Sequence, residues 1–219
     1  MSRIARVVVP GIPHHVTQRG VRRMKTFFDD EDYETYITLM SEWCKLSGIE
    51  IWAYCLMPNH IHLIAVPECE ECLSQGIGEA HRRYTRHINF KKGWKGYLWQ
   101  GRFSSFPMDE DYLLAAVRYV ELNPVRAKIA LKPQAYRWSS AQAHIAGVDD
   151  ELVVVKPMLD RVSDWAELLA SGELPEFTDM RMHERTGRPL GKEGFVEKIS
   201  VLVGRDLAKK KPGPKRMEN

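Results

Sequence analysis

Two histidines one residue apart, His60 and His62, sit inside the apolar run "LMPNHIHLIAVP". If that run is a β-strand, alternation puts both imidazoles on one face and Ile61 and Leu63 on the other. Side-by-side imidazoles pack poorly but make a good start on a metal site. The plainer alternative is a hydrogen-bonded pair at a sheet surface. A second pair lies in "AAVRYVELNPVRA", where Tyr119 and Asn123 are four residues apart and share a face if the segment is helical. Tyrosine offers a phenolic oxygen that can act as a nucleophile. Asparagine offers a neutral carbonyl oxygen acceptable to Mg²⁺ or Mn²⁺. Two histidines and an amide oxygen would leave open positions, as a metal that polarises a phosphoryl oxygen requires. Each piece has a structural alternative: tyrosines on apolar helices usually belong to the core, and asparagine before proline usually stops a helix.

The surrounding elements must deliver these residues. "ARVVVP" and "HHVTQRG" read as short strands broken by "PGIP". Asp29 or Asp30 can cap a helix whose apolar positions are Tyr33, Tyr36, Ile37, Met40, Trp43 and Cys44, with Gly48 ending it. "IEIWAYCL" reads as a strand, and a turn at Pro58 and Asn59 starts the next one at His60. A helix is expected from Glu70 to about Phe90, terminated by "KKGWKG", and then an extended "YLWQGRFSSFPM". Asp109 can cap the following helix, with Met108 and Leu113 placed as a hydrophobic staple. That helix must end near Asn123, because Pro124 disfavours helical geometry in the residue before it. "YRWSSAQAH" suggests a further docked helix, and Phe195, Ile199, Leu202 and Val203 have apolar spacing near the end. The order β-β-α-β-β-α-β-α predicts an α+β fold, an antiparallel sheet with helices packed on it.

Bulk properties narrow the class. A hydrophobic fraction of 44% supports a real core, and no apolar run approaches the ~18 residues of a membrane span. Arg3, Arg6 and Pro10 interrupt any signal-like start, so a cytoplasmic protein is expected. Cys44, Cys55, Cys69 and Cys72 do not form two spaced pairs for zinc, and free thiols are expected. The net charge is only +3, yet residues 1–28 and 81–102 carry no acid while the acids gather in "DDEDYE", "ECEE" and "DDE". Such segregation suggests a basic surface for a polyanion. Residues 81–102 interleave Arg82, Arg83, Arg86, Lys91, Lys92, Lys95 and Arg102 with aromatics that include Trp99 beside Gln100. Basic groups hold phosphates and aromatics stack unpaired bases, with Tyr84 and Phe90 the aromatics expected in the core. Arg19, Arg22 and Arg23 of "TQRGVRR" form a second basic set. The tail Lys209–Arg216 reads as disordered, either holding phosphates or serving as a solubilising end.

"MPNHIHLI" followed by "YVELNPVRA" resembles the REP-associated tyrosine transposases, a branch of the HUH single-strand endonucleases. "HHVTQRG", "LWQGRF", "YRWSS" and "TGRPLG" extend the resemblance over nearly the whole chain, in the family's order. Lys128 departs from it, since members often carry glycine after "NPVRA". The resemblance implies a ferredoxin-like HUH catalytic domain over 1–147, a helical extension over 148–208 and a basic tail over 209–219. It implies that His60, His62 and Asn123 hold a divalent metal, Mg²⁺ or Mn²⁺, and that Tyr119 is the nucleophile. The implied reaction is cleavage and rejoining of single-stranded or hairpin DNA, as in repetitive extragenic palindromes, through a 5′-phosphotyrosine. The family's REP-associated branch is expected to act as a monomer, with a dimer as the alternative. What takes the proton of the phenol is open: Gln18, a nearby histidine or water. A hairpin-binding protein that does not cut DNA is the competing reading, and a water-using hydrolase would need more carboxylates than flank the histidine pair.

Overall fold

The computed structural model describes residues 5–171 and 182–207. Four strands, β1 (His14–Arg19), β2 (Ile49–Met57), β3 (His60–Pro67) and β4 (Ser104–Pro107), form one antiparallel sheet in the order β2-β3-β1-β4. β1 and β3 are therefore central, and their register sets Thr17 opposite His62 and Arg19 opposite His60. Pairs opposed across a ladder point the same way, so His15, Thr17, Arg19, His60 and His62 share one face.

Helices cover both faces. α1 (Asp30–Leu46) starts at Asp29, whose side chain accepts from the backbone N–H of Asp32. α2 (Cys72–Lys92) packs closely on α1 and on β2: a Cβ at Gly76 would lie 2.7 Å from the Ile49 side chain and 2.9 Å from the Trp43 carbonyl. Glycine is what permits that approach. Ile49 pairs with Pro67, so this side is opposite the histidines. α3 (Glu110–Glu121) lies over the histidine face, capped by Asp109 through the Tyr112 N–H, with Met108 and Leu113 both buried. The helix ends at Glu121 as expected, but the chain makes one more helical turn, α4 (Asn123–Arg126). Pro124 sits in the first turn of α4, where its missing N–H costs nothing. Lys128 then adopts φ of 58°, the left-handed conformation that glycine takes most easily.

The second half clamps this frame. Trp138 and Ser140 bond to the outer edge of β2 at Leu56 and Tyr54, and Val153 bridges Ile51. An open sheet edge is thereby covered. Short helices α5 (Ala141–Ala146), α6 (Lys156–Leu159) and α7 (Trp165–Ala170) follow. Glu121 is fully buried and accepts hydrogen bonds from Ser140 Oγ (2.5 Å), His144 Nδ1 (2.6 Å) and Trp165 Nε1 (2.8 Å). It ties α3 to α5 and α7. A last helix, α8 (Glu193–Leu202), packs Ile199 against Val7 and Val9 in a separate small cluster. No helix among the described residues is long and apolar enough to cross a membrane.

Three expectations change. "ARVVVP" is not a strand: Val7 and Val9 are buried against α8, a partner nearly two hundred residues away, and no strand pairs with the segment among the described residues. Of "YLWQGRFSSFPM" only Ser104–Pro107 is strand. Cys69 and Cys72 are not free thiols but form a disulfide, because the turn between them brings their Cα atoms within 5.2 Å. Cys44 and Cys55 are free and buried. The tail expected at Lys209–Arg216 lies outside the described residues.

Candidate active site

His60, His62, Tyr119 and Asn123 come together in one cleft of about 980 Å³, with Arg19, Arg23, Gln100, Arg102, Arg126, Glu184 and Arg185 around them. The strand hairpin supplies the histidines, whose ring centroids are 5.0 Å apart. Tyr119 comes down from α3 and puts its ring edge-on, 5.6 Å from His62 and 6.0 Å from His15. It is 4% exposed, and the Arg126 guanidinium covers its ring. Asn123, 8% exposed, follows on α4 and reaches the same cleft, so the four-residue spacing does put both side chains on one face.

The histidines are held neutral. Burial pushes His60 down to about 3, aided by the nearby charge of Arg19. Burial drives His62 well below the usual range, with further pressure from His60, His15 and the arginines. His15, wholly buried, is pushed down to about 3 for the same reason. Neutral imidazoles keep lone pairs to give to a metal. Asn123 adds a buried carboxamide whose Nδ2 has no hydrogen-bond partner among the described residues. Two neutral imidazoles and the Oδ1 of Asn123 are donor types that a divalent ion accepts. His15, His62 and Glu184 form a second group, their ligand atoms all within 4.8 Å of one another.

Several participants escaped sequence reasoning. His15 hydrogen-bonds His62, Nε2 to Nδ1, at 2.9 Å. Its neighbour His14 points the other way and is used up structurally, accepting from Val9 N–H and donating to the Ile12 carbonyl. Glu184 arrives from a helical turn at residues 182–186, fixed to β4 where Ser104 Oγ donates to its carbonyl, and Met108 bridges Leu190 just beyond. Asn59 contacts His60 at 2.6 Å and donates from Nδ2 to the Arg23 carbonyl. Arg22 and Arg23 both have positive φ there, a strained turn of the kind found at ligand sites. The "HHVTQRG" and "NPVRA" strings were the available signals for His15 and Arg126; Glu184 had none.

The basic residues expected at DNA divide into three groups. Arg19, Arg23, Gln100 and Arg102 line the cleft, and Arg22 is exposed beside it. Arg82, Arg83, Arg86 and Lys95 line a second groove of about 1020 Å³ along α2, together with Phe90 and Trp94. Arg82 and Arg83 pair with Glu79 yet stay largely exposed. Lys91 is committed to Asp29, Glu31 and Asp32, and Lys92 lies over the Phe28 ring. Trp99 is buried against Tyr36, His81 and Tyr84, so it packs the core and cannot stack a base as placed. Tyr84 is core as expected, but Phe90 is 91% exposed. Gln18 donates to the Gly101 carbonyl and accepts from the Arg19 N–H, so both ends of its amide are engaged.

Comparison with known proteins bears on the fold and the family. The fold is similar to that of a REP-associated tyrosine transposase solved bound to a REP hairpin, at 22% identity, covering 70% of this chain and 92% of that one with a TM-score of 0.58. A candidate transposase from Deinococcus radiodurans R1 is 19% identical over 58% of this chain and 92% of that one, with a TM-score of 0.39. No curated protein matches the chain. The family described as "Transposase IS200 like" matches residues 9–123, from the approach to β1 through Asn123. Because that span takes in more than half of the 219 residues, the chain belongs to the IS200-like transposases.

Proposed function

We propose that the protein is a single-strand DNA endonuclease and strand transferase acting on hairpin DNA, with Tyr119 as its nucleophile. The observation that carries this is Tyr119 itself: an edge-on phenol 5.6 Å from His62, in a cleft walled by arginines. The DNA backbone would enter along Arg19, Arg23 and Arg102, which neutralise phosphate charge. Tyr119 Oη would give up its proton to a base or to water and attack the phosphorus, forming the O–P bond of a 5′-phosphotyrosine. The bond to the 3′-oxygen breaks, and that oxygen leaves as a 3′-hydroxyl after taking up a proton. The phosphotyrosine keeps the bond energy, so attack by another 3′-hydroxyl reverses the step and joins strands without ATP. Arg126, over the Tyr119 ring, is placed to counter charge that builds on the phosphoryl oxygens. A divalent ion, Mg²⁺ or Mn²⁺, held by His60, His62 and Asn123 would supply Lewis-acid stabilisation of the same charge.

The hairpin as substrate is supported by the solved relative, which is bound to a REP hairpin. In this protein the groove along α2, with exposed Phe90 and Trp94 among arginines, suits the unpaired flank of such a hairpin. Residues 1–147 would hold the catalytic unit and 148–208 an extension to it, acting as a monomer. The test is incubation with hairpin single-stranded DNA and Mn²⁺, followed by mass spectrometry. A covalent adduct on the peptide containing Tyr119, joined to the 5′ end of the cut, is expected. It should be absent from Tyr119→Phe while hairpin binding persists; an undiminished adduct in that variant would overturn the reading.

A further inference from the structure

A neutral histidine binds a metal through the ring nitrogen that lacks hydrogen, so the group bonded to the other nitrogen decides which face of the ring is available. For His60 the answer follows from Asn59. Asn59 Nδ2 donates to the Arg23 carbonyl, which fixes the amide orientation and leaves Oδ1 facing His60 Nδ1 at 2.6 Å. Oδ1 only accepts, so His60 Nδ1 carries the hydrogen and Nε2 keeps its lone pair.

His62 has a less obvious partner, another neutral imidazole. One hydrogen is shared between His62 Nδ1 and His15 Nε2, 2.9 Å apart and both buried, and two directions are chemically possible. If His15 donates, His62 carries its hydrogen on Nε2 and cannot bind a metal there. His15 Nδ1 would then present a lone pair towards the Glu184 carboxylate. If His62 donates, His62 Nε2 is free, and His15 carries its hydrogen on Nδ1. Glu184 Oε1 lies 3.9 Å from His15 Nδ1 and 3.7 Å from His62 Nδ1. His15 Nδ1 is buried and makes no hydrogen bond among the described residues. A carboxylate near both Nδ1 atoms favours hydrogen on both and disfavours a lone pair on either.

We infer that His15 and Glu184 are positioning residues: the carboxylate orders a Glu184–His15–His62 chain that turns the lone pair of His62 Nε2 to the metal, as Asn59 does for His60. Glu184 lies outside the span matched to the family, so a segment of the C-terminal extension would tune a ligand on the central strand. The inference rests on the proposed metal site at His60, His62 and Asn123.

The test uses the full-length, metal-free protein with ¹⁵N-labelled histidine. Long-range ¹H–¹⁵N correlation spectra report the tautomer of each ring and do not depend on cleavage. His60 and His62 should both carry hydrogen on Nδ1; a wild-type His62 with hydrogen on Nε2 overturns the inference. Glu184→Ala, at a partly exposed position, should shift His62 towards the Nε2–H form and lower Mn²⁺ affinity, read by electron paramagnetic resonance, by about 10–100-fold. Glu184→Gln keeps an accepting oxygen and should recover most of that loss. His15→Phe should act as Glu184→Ala does; wild-type tautomer and affinity in Glu184→Ala would refute the chain whether or not His15→Phe folds. His60→Ala separates the two claims. If it removes Mn²⁺ binding while Glu184→Ala does not, only the positioning chain fails. If Mn²⁺ binding survives His60→Ala but is lost in both Glu184→Ala and His15→Phe, the ion sits between His15, His62 and Glu184, and the assigned ligands fail as well.

Discussion

Arg126 holds its guanidinium 4.0 Å from the centre of the Tyr119 ring, and one of its nitrogens donates to the Tyr119 carbonyl at 3.3 Å. The same arginine thus anchors the residue proposed to attack and faces the place where phosphoryl charge would grow. Arg126→Ala should slow single-turnover cleavage by about 10²-fold, the loss typical of one charge-stabilising donor. Arg126→Lys should recover part of it, since a point charge replaces the fork but not its stacking. Cleavage at the wild-type rate by Arg126→Ala would remove the arginine from the reaction.

Metal dependence is the second prediction. EDTA should abolish cleavage, and His60→Ala or His62→Ala should lower it by ~10²-fold or more. Asn123→Ala should be milder and partly rescued by high Mn²⁺. Full activity in EDTA would reject the metal site.

Affinity for hairpin DNA should fall steeply with salt, and Arg82→Ala with Arg83→Ala should flatten the slope by roughly one to two units. Lys91→Ala makes a useful contrast. Its ammonium already neutralises Asp29, Glu31 and Asp32, so its loss should lower the melting temperature and leave the salt slope nearly unchanged. A slope that drops equally in both variants would count against this division of the basic residues.

Glu121 is an internal tie, with three donors converging on one buried carboxylate. Glu121→Ala strands those donors and should destabilise the fold by about 3 kcal/mol, measured by urea denaturation. An unchanged midpoint would show that the network relaxes into water.

Stability should also decline in mild acid. Burial pushes His14 down to about 4 and His81 to about 3, whereas the unfolded chain titrates near the usual 6.5. Between those limits the unfolded chain binds more protons, so stability is full above about pH 6.5 and is lost progressively as pH falls towards the folded values. His81, hydrogen-bonded through Nε2 to the Tyr36 hydroxyl at 2.9 Å, offers the check: His81→Gln should flatten the dependence of the denaturation midpoint over that window.

The features legible in the sequence are those decided by short-range rules. Strand alternation put His60 and His62 on one face, Asp29 and Asp109 announced their helices, and a four-residue spacing brought Tyr119 and Asn123 to one wall. Phe90 misled because it stands two positions after Ile88, ~200° further round α2, and so faces solvent. Trp99 and Lys91 looked free for DNA because nothing local reveals that His81 or the acids of α1 will claim them. Glu184 was invisible for the same reason: the docking of its segment on β4, through Ser104 and through Leu190 beside Met108, delivers it to His62.

The placement of Tyr119 and Asn123 on successive turns has an evolutionary consequence. Substitutions around them can accumulate as long as α3 and α4 persist, but insertions and deletions between them cannot. One added residue would swing Asn123 by about 100° around the axis and out of the cleft. Across descendants of this chain, the count of residues separating the two should outlast the identities of Val120 and Leu122 between them.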